Sequence, residues 1–427
     1  MTESSPPCIR LWKGYHSTEL LGFVRDGYYG RTLLIPCPPF SRNLDFIPLL
    51  PAGALELVGD GWTEAERANA RVLAERPRDT VYPARPVLGV FTSGTIGGKP
   101  RLVLYSRANI EASLAGILEV FDRDRIDALF CYPQPFHTFG LILGYVHALA
   151  TGRPLIAPTG RYSAEFHRAW REAAVTHPGM LTLGTPTHFQ DLLKASETWG
   201  GVIPPTYTSI IGGAAVSRAL WLGLKNRLRV AAPSIGYGCT EASPGLTHLP
   251  PGREPTEDGE IGGVLTGITL EILPGTGLEF HGAQSCLAVV QDGRVEFPKK
   301  ILIRDRLTER SDRRFVFEGR YDLVFNRGGM KFSLEEIERH LSETFPASDF
   351  LCVAVPDARL GEELGVLVRS ADAPLETFRK AISSALQAKF HAHFDLERIL
   401  WVSELPTNAA AKPDRGVGLR LVAAHPR

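Results

Sequence analysis

Short apolar runs rich in β-formers alternate with stretches of helical period over much of this chain, and that alternation restricts the folds open to it. "VLGVF", "ALFCY", "PLIAP", "MLTLGT" and "TSIIGG" each read as a buried strand. "RANIEASLAGILEVF", "AEFHRAWREAAV" and "PTHFQDLLKAS" lie between them and carry their apolar residues at helical spacing. The pattern predicts an α/β architecture, a sheet covered by helices on both faces. Past about residue 260 the character changes. "GEIGGVLTGITLEILPGTGLEF" and "RRFVFEGRYDLVFN" are strand runs punctuated by glycine, which predicts a β-rich subdomain. A compact α+β unit then closes the chain. It has a helix at "SLEEIERHLSETF", strands at "FLCVAVPD" and "ELGVLVRS", and a helix at "PLETFRKAISSALQAKF". Ser333, with Glu336 three residues on, reads as a capping box at the first of these helices. The expected organisation is a large domain over residues 1–321 and a small one over 322–427.

Composition excludes several classes of function. Lys+Arg and Asp+Glu number 47 each, and a net charge of zero suggests neither a nucleic-acid nor a polybasic membrane surface. Six scattered cysteines without a CxxC pair read as reduced thiols, neither a disulfide framework nor a zinc site. His391 and His393, two apart on an expected helix, face different ways and have no third ligand nearby, which argues against a metal site. The N-terminus has no apolar signal core. The most apolar stretch, "FGLILGYVHALATG", falls short of the roughly 20 residues that span a bilayer. These features predict a soluble, cytoplasmic protein; its oligomeric state stays open.

"GVFTSGTIGGKPR", Gly89 to Arg101, is the strongest local signal. Glycines free the backbone to present its N–H groups, and Thr92, Ser93 and Thr95 add hydroxyls, a composition suited to wrapping an anion. It is not the P-loop of NTPases, because Pro100 follows Gly98-Lys99 and Ser93 stands where the first glycine should be. Nor does it fit the dinucleotide-binding GxGxxG.

"FTSGTIGGKPR" resembles instead the phosphate-binding loop of the adenylate-forming superfamily: acyl- and aryl-CoA synthetases, luciferase and the adenylation domains of peptide synthetases. The resemblance runs from about residue 86 to the end. It implies that Thr92, Ser93, Gly94, Thr95, Gly97 and Lys99 clasp the phosphates of ATP. This chain has one extra residue, Gly98, Ile96 for a threonine, and Arg101-Leu102 for Lys-Gly. "GYGCTEAS" matches the family's Y-G-x-T-E in full. Gly236, Tyr237 and Gly238 would border the nucleotide, with the Tyr237 ring on the adenine face. Thr240 would bond phosphate, and Glu241 would offer Mg²⁺ a carboxylate oxygen. "IIGGAAVS" is similar to the segment walling the adenine and acyl pocket, which implicates Gly212, Gly213 and Ala214.

Farther on, "IRDRLTERSDRRFVFEGRYDLVFNRGGMKFSLEEIE" resembles the family's hinge region, although Ile303-Arg304 stands in place of Thr-Gly. Asp305 is then the carboxylate for the ribose hydroxyls, and Arg320 assists near ribose and phosphate. Asp322 is the hinge of a mobile small domain, and Gly328 and Gly329 border the pantetheine path. "ELPTNAAAKPDR" places Lys412 as the catalytic lysine, a mobile charge between attacking carboxylate and α-phosphate. "CYPQPFHTFGL" resembles the family's P-L-F-H-x-x-G-L run, which implies His137 as the candidate gate residue between acyl site and thiol tunnel. The aspartate with which amino-acid-activating relatives hold an α-ammonium is missing, so the implied acid has no α-amine. Small or apolar positions around 136–141, 212–216 and 236–244 suit an aryl or medium acyl group. The implied reaction activates a carboxylic acid with Mg·ATP to an acyl-adenylate and passes it to a thiol, that of coenzyme A or of a phosphopantetheinyl carrier protein. A ligase delivering to a carrier protein or an amine without coenzyme A, and a non-catalytic nucleotide-binding relative, are the alternatives.

Overall fold

The structure is a computed structural model that describes residues 8–39, 41, 44–78, 80–92, 101–370, 375–407 and 413–424. Its centre is a nine-stranded sheet whose parallel half holds Leu155–Ile156, Leu129–Cys131, Leu181–Gly184, Thr206–Gly212 and Val230–Gly238 in that spatial order. Every residue of Thr206–Gly212 is buried, as expected of a strand covered on both faces. Thr208 Oγ1 donates to Ala232 O at 2.6 Å, and Ser234 Oγ of the neighbouring strand donates to Ser209 O at 2.6 Å, whereas Thr206 Oγ1 and Ser209 Oγ are buried without a partner among the described residues.

The remaining strands of this sheet run antiparallel, from Gly245–Leu249 through Glu260–Val264 and Phe315–Arg320 to Asp305–Glu309. A seven-stranded sheet packs beside it, built from Cys8–Lys13, Thr32–Cys37, Leu55–Val58, Pro86–Phe91 and Leu102–Ser106, with Ala288–Gln291 and Arg294–Glu296 at one edge. Ile268–Leu273, Gly277–Gly282 and Ile301–Ile303 form a small third sheet, the β-rich part legible in the sequence. The last sheet, within residues 324–401, shares no strand with the other three and has its own cores around Phe325, Ile337 and Val366 and around Leu351 and Leu367.

Helices begin where the sequence supplies caps. Thr185 caps Pro186–Ser196, with proline at the first helical position, where no N–H is needed. Ser106 and Asn109 form a reciprocal box at Arg107–Leu118. At Leu334–Thr344 the forward half of the expected box forms, Ser333 Oγ accepting from Glu336 N–H at 3.3 Å. The apolar run at 139–151 is a buried π-helical segment, Phe139–Val146, continued as His147–Thr151. Glycine is required within it, since a Cβ on Gly140 would lie 2.2 Å from Pro133 O. Among the described residues no helix is long and apolar enough to cross a membrane. His391 and His393 lie just beyond Leu375–Phe390 rather than on it, because His391 adopts a positive φ of 52° that ends the helix. No cluster of three or more metal-ligating side chains occurs among the described residues.

Burial keeps four histidines uncharged. It lowers His16 and His147 to about 4 and His188 and His248 to about 3. The unfolded chain takes up protons at these groups below its ordinary histidine value of about 6.5, and the folded chain does not. Their contribution to stability is therefore present above about pH 6.5 and declines as the pH falls towards the folded values, by up to about 1.4 kcal/mol per pH unit for each ring. The thermal midpoint is expected to fall steeply between pH 6.5 and 4.5. A midpoint constant from pH 7.5 to 5 in calorimetric scans contradicts this.

Candidate active site

Two charged constellations and one cavity meet at the C-terminal ends of the central parallel strands, where open α/β sheets place ligands. The first constellation joins Arg101 to Glu241. Arg101 lies beside Thr92: Thr92 N–H donates to Arg101 O at 2.8 Å, and Arg101 N–H donates to Thr92 Oγ1 at 3.3 Å. Its Nη2 donates to Glu241 Oε1 at 2.6 Å; the Glu241 side chain is 5% exposed and that of Arg101 39%. The short turn Thr240–Ala242 is held from beneath, as Tyr105 OH donates to Thr240 O at 2.7 Å and Cys286 N–H to Glu241 O at 2.8 Å. These bonds aim the carboxylate without using its second oxygen.

The second constellation is centred on Asp305, which is 7% exposed. Tyr237 OH donates to its Oδ2 at 2.6 Å and Arg320 Nη1 to its Oδ1 at 2.8 Å. Burial first, then the Asp305 charge, pushes the Tyr237 hydroxyl far up, so it remains a donor. Arg320 also grips both oxygens of Asp322, at 2.7 and 2.8 Å, and its backbone N–H donates to Glu335 Oε2 at 2.8 Å. Burial opposes the Arg320 charge, but these carboxylates outweigh it and raise its pKa. Burial likewise raises Glu335, against the lowering effect of Arg415. Asp305 and Arg320 are cross-strand partners, so the antiparallel register between Asp305–Glu309 and Phe315–Arg320 creates the pair.

A cavity of about 450 Å³ runs from Tyr237, Gly238 and Thr240 past Gly212 and Gly213 to His137. Glycine at its wall is a packing requirement: a Cβ on Gly212 would lie 2.8 Å from Gly236 O, and one on Gly238 would lie 1.7 Å from Pro244 O. Thr407, from the C-terminal part of the chain, also lines the cavity, and it pairs with Pro413 in an isolated antiparallel bridge.

Of the residues singled out from sequence, His137, Gly212, Gly213, Gly236, Tyr237, Gly238 and Thr240 line this one cavity. Glu241, Asp305, Arg320 and Asp322 belong to the two charged constellations. Ala214 is exposed and is not among the lining residues. Gly328 and Gly329, both with positive φ, form the turn between Val324–Arg327 and Met330–Ser333, and they too are not among the lining residues. Ser93, Gly94, Thr95, Gly97, Lys99 and Lys412 lie outside the described residues.

Sequence reading missed the polar character of the cavity's other walls. Gln134, Tyr162, Thr185, His188 and His248 line it alongside Phe139 and Leu143. Nothing marks these residues in one dimension, because they come from four separate segments.

The AMP-binding enzyme family model matches residues 43–282, more than half of the chain. The chain belongs to the AMP-binding enzyme family. The match begins well upstream of residue 86, where the sequence resemblance becomes visible, so family character extends into the first sheet. The acyl-CoA ligase SID4 of Ajellomyces capsulatus is 27% identical over 69% of this chain and 53% of its own length. The medium-chain acyl-CoA ligase ACSF2 of Danio rerio, described as mitochondrial, is 27% identical over 77% of this chain and 56% of its own. The chain thus spans about half the length of each of these relatives. The crystal structure of ATP-bound MatB from Rhodopseudomonas palustris superposes with a TM-score of 0.76 at 15% identity, covering 99% of this chain and 90% of that one. That likeness shows that the two chains share their fold over nearly the whole of this one.

Proposed function

We propose that this protein activates a carboxylic acid with ATP and transfers the acyl group to a thiol, most readily that of coenzyme A. The observation that carries this reading is the single cavity linking Tyr237, Gly212 and Thr240 with His137, flanked by the buried carboxylates of Glu241 and Asp305. In the first step a carboxylate oxygen of the acid attacks the α-phosphorus of ATP. A P–O bond forms, pyrophosphate leaves, and an acyl-adenylate remains. In the second, a thiol sulfur attacks the acyl carbon, releasing AMP and a proton. Splitting one hard condensation into two easier steps is the purpose of the mixed anhydride.

The residues have distinct proposed roles. Asp305 receives the ribose hydroxyls while Tyr237 and Arg320 hold it in place. Small residues at 212, 213, 236 and 238 let flat groups approach the backbone. Thr92, Ser93, Gly94, Thr95, Gly97 and Lys99 receive the departing phosphates, and Lys412 steadies the charge that grows between carboxylate and α-phosphate. His137 stands between acyl group and incoming thiol. Mg²⁺ binds with nucleotide through one or two carboxylates plus phosphate oxygens. A buried carboxylate whose second oxygen has no hydrogen-bond partner among the described residues, as in Glu241, fits that need, and the ion would neutralise phosphate charge there. Residues 322–427 form the small domain, turning about Asp322, whose carboxylate is clasped by Arg320 on the other side of the boundary. A cytoplasmic location is in keeping with this chemistry.

The test is pyrophosphate release from ATP across a broad panel of carboxylic acids, with and without coenzyme A. Acid-dependent release with a thioester product supports the reading. Release with no use of coenzyme A points to a carrier protein or amine as acceptor. Nucleotide binding with no release for any acid overturns it in favour of a non-catalytic relative. Tyr237→Phe probes the nucleotide subsite: loss of the 2.6 Å bond to Asp305 is expected to weaken ATP binding about five- to tenfold, on the order of 1 kcal/mol. Calorimetric titration with ATP checks this, and an unchanged affinity contradicts it.

A further inference from the structure

Arg320 ends a strand of the nine-stranded sheet, whereas the helix Leu334–Thr344 packs on Ser348–Asp357 of the C-terminal sheet. Among the described residues, the side-chain hydrogen bonds that cross from 1–321 to 322–427 all involve Arg320. Those to Asp322 join near neighbours in sequence. The bond to Glu335 spans 15 positions: the Arg320 backbone N–H donates to Glu335 Oε2 at 2.8 Å. Glu335 sits at the second position of its helix and is half-buried.

The strand is shaped for this approach. Gly319 has a φ of 120°, a region that favours glycine, and a Cβ on it would lie 2.7 Å from Glu335 Oε2. A side chain at 319 would therefore push the carboxylate away. Arg320 meanwhile spends its guanidinium on Asp305 and Asp322, so one residue holds Asp305 with its side chain and Glu335 with its backbone. On its far side Glu335 faces the C-terminal segment. Burial raises the Glu335 pKa, and Arg415 is the strongest influence opposing that rise. Arg415 Nη2 donates to Glu338 Oε2 at 2.9 Å, one helical turn from Glu335, and Nη1 donates to Cys352 O at 2.9 Å. Arg415 follows Lys412 by three positions, and Thr407, on the other side of that lysine, lines the cavity.

Resting on the two-step reading above, we infer that Glu335 is a positioning residue whose bond to the Arg320 N–H holds the small domain in the adenylate-forming arrangement and breaks when that domain turns about Asp322 for thiol transfer. A hydrogen bond is lost once its atoms part by about 1 Å. Any turn that carries Leu334–Thr344 away from Phe315–Arg320 therefore ends it. A contact present in one arrangement alone shifts the equilibrium by its full strength, and a bond to a carboxylate is strong enough for a shift of about tenfold. Glu335 touches no reacting atom; it acts through Arg320 and the placing of the domain.

The test places donor and acceptor dyes at exposed Val202 and Ala347 of the full-length protein, introduced as non-natural amino acids, and reads the ratio of the two arrangements by single-molecule energy transfer. Glu335→Ala is expected to shift that ratio about tenfold away from the arrangement described above. Each half-step draws on one arrangement. The rate of adenylation relative to thiol transfer from a supplied acyl-adenylate is therefore expected to fall by the same factor in single-turnover assays. Glu335→Gln keeps an acceptor oxygen for the Arg320 N–H and is expected to retain most of both ratios. Gly319→Ala is expected to resemble Glu335→Ala and, combined with it, to shift neither ratio further, because both changes break the same bond. A distance distribution unchanged in Glu335→Ala overturns the inference. An equal shift in Glu335→Gln also overturns it, since the charge facing Arg415 would then act and not the bond. Absence of pyrophosphate release for every acid overturns the acid-activating reading, and the distance distribution still decides whether Glu335 holds the domain.

Discussion

Lys412→Ala is expected to lower acid-dependent pyrophosphate release by about 10²–10³-fold, the usual cost of removing one group that stabilises developing charge. Thioester formation from a supplied acyl-adenylate is expected to be largely kept. The two halves of the reaction differ in what they ask of a cation. Adenylation brings a carboxylate against a polyphosphate, two anions whose repulsion must be offset where the new bond forms. Thiol attack on the finished anhydride places no such demand. The chain on either side of Lys412 reaches the right place: Thr407 lines the cavity, it pairs with Pro413, and Asp414 N–H donates to Pro406 O at 2.8 Å. An ammonium on a flexible stem acts as a point charge. Single-turnover assays of each half-step separate the outcomes. Equal loss in both steps means that Lys412 positions the domain and does not serve the chemistry of the first step.

Glu241→Gln carries the second large effect, a loss of about 10²-fold or more in adenylation together with a shift of the Mg²⁺ requirement to higher concentration. The amide keeps the shape of the side chain and removes its charge. Two consequences compete. Arg101 loses its 2.6 Å partner, but its side chain is 39% exposed and turns to water, so stability drops by only about 1 kcal/mol. On the role proposed for Glu241, the hard cation also loses an oxygen ligand. A Mg²⁺ titration of pyrophosphate release reads the second consequence without interference from the first. Lower activity at an unchanged Mg²⁺ midpoint assigns Glu241 to the positioning of Arg101 instead.

Strand and helix alternation was legible because burial on both sheet faces leaves a strong local imprint. "TSIIGG" and "PTHFQDLLKAS" correspond closely to Thr206–Gly212 and Pro186–Ser196. "FGLILGYVHALATG" was legible only as apolar. Its π-helical path depends on Gly140 passing against Pro133 O, a contact between segments. The contiguous "GYGCTEAS" was legible for a related reason, since one strand end and one turn supply its ring, hydroxyl and carboxylate together. Asp305 with Arg320 was readable by spacing, although the cross-strand register is what joins them.

The amino-acid order alone therefore determined the α/β class, the family, and those parts of the site contributed by unbroken stretches of chain, because local backbone chemistry and periodicity are properties of neighbours in sequence. Only the tertiary structure decided that Arg101 neutralises Glu241 across 140 positions, that Thr407 returns to the cavity, and that Gln134, His188 and His248 give the cavity polar walls. The physical reason is common to all three. Their significance lies in desolvation and pairing, and neither exists until distant segments exclude water from the same space.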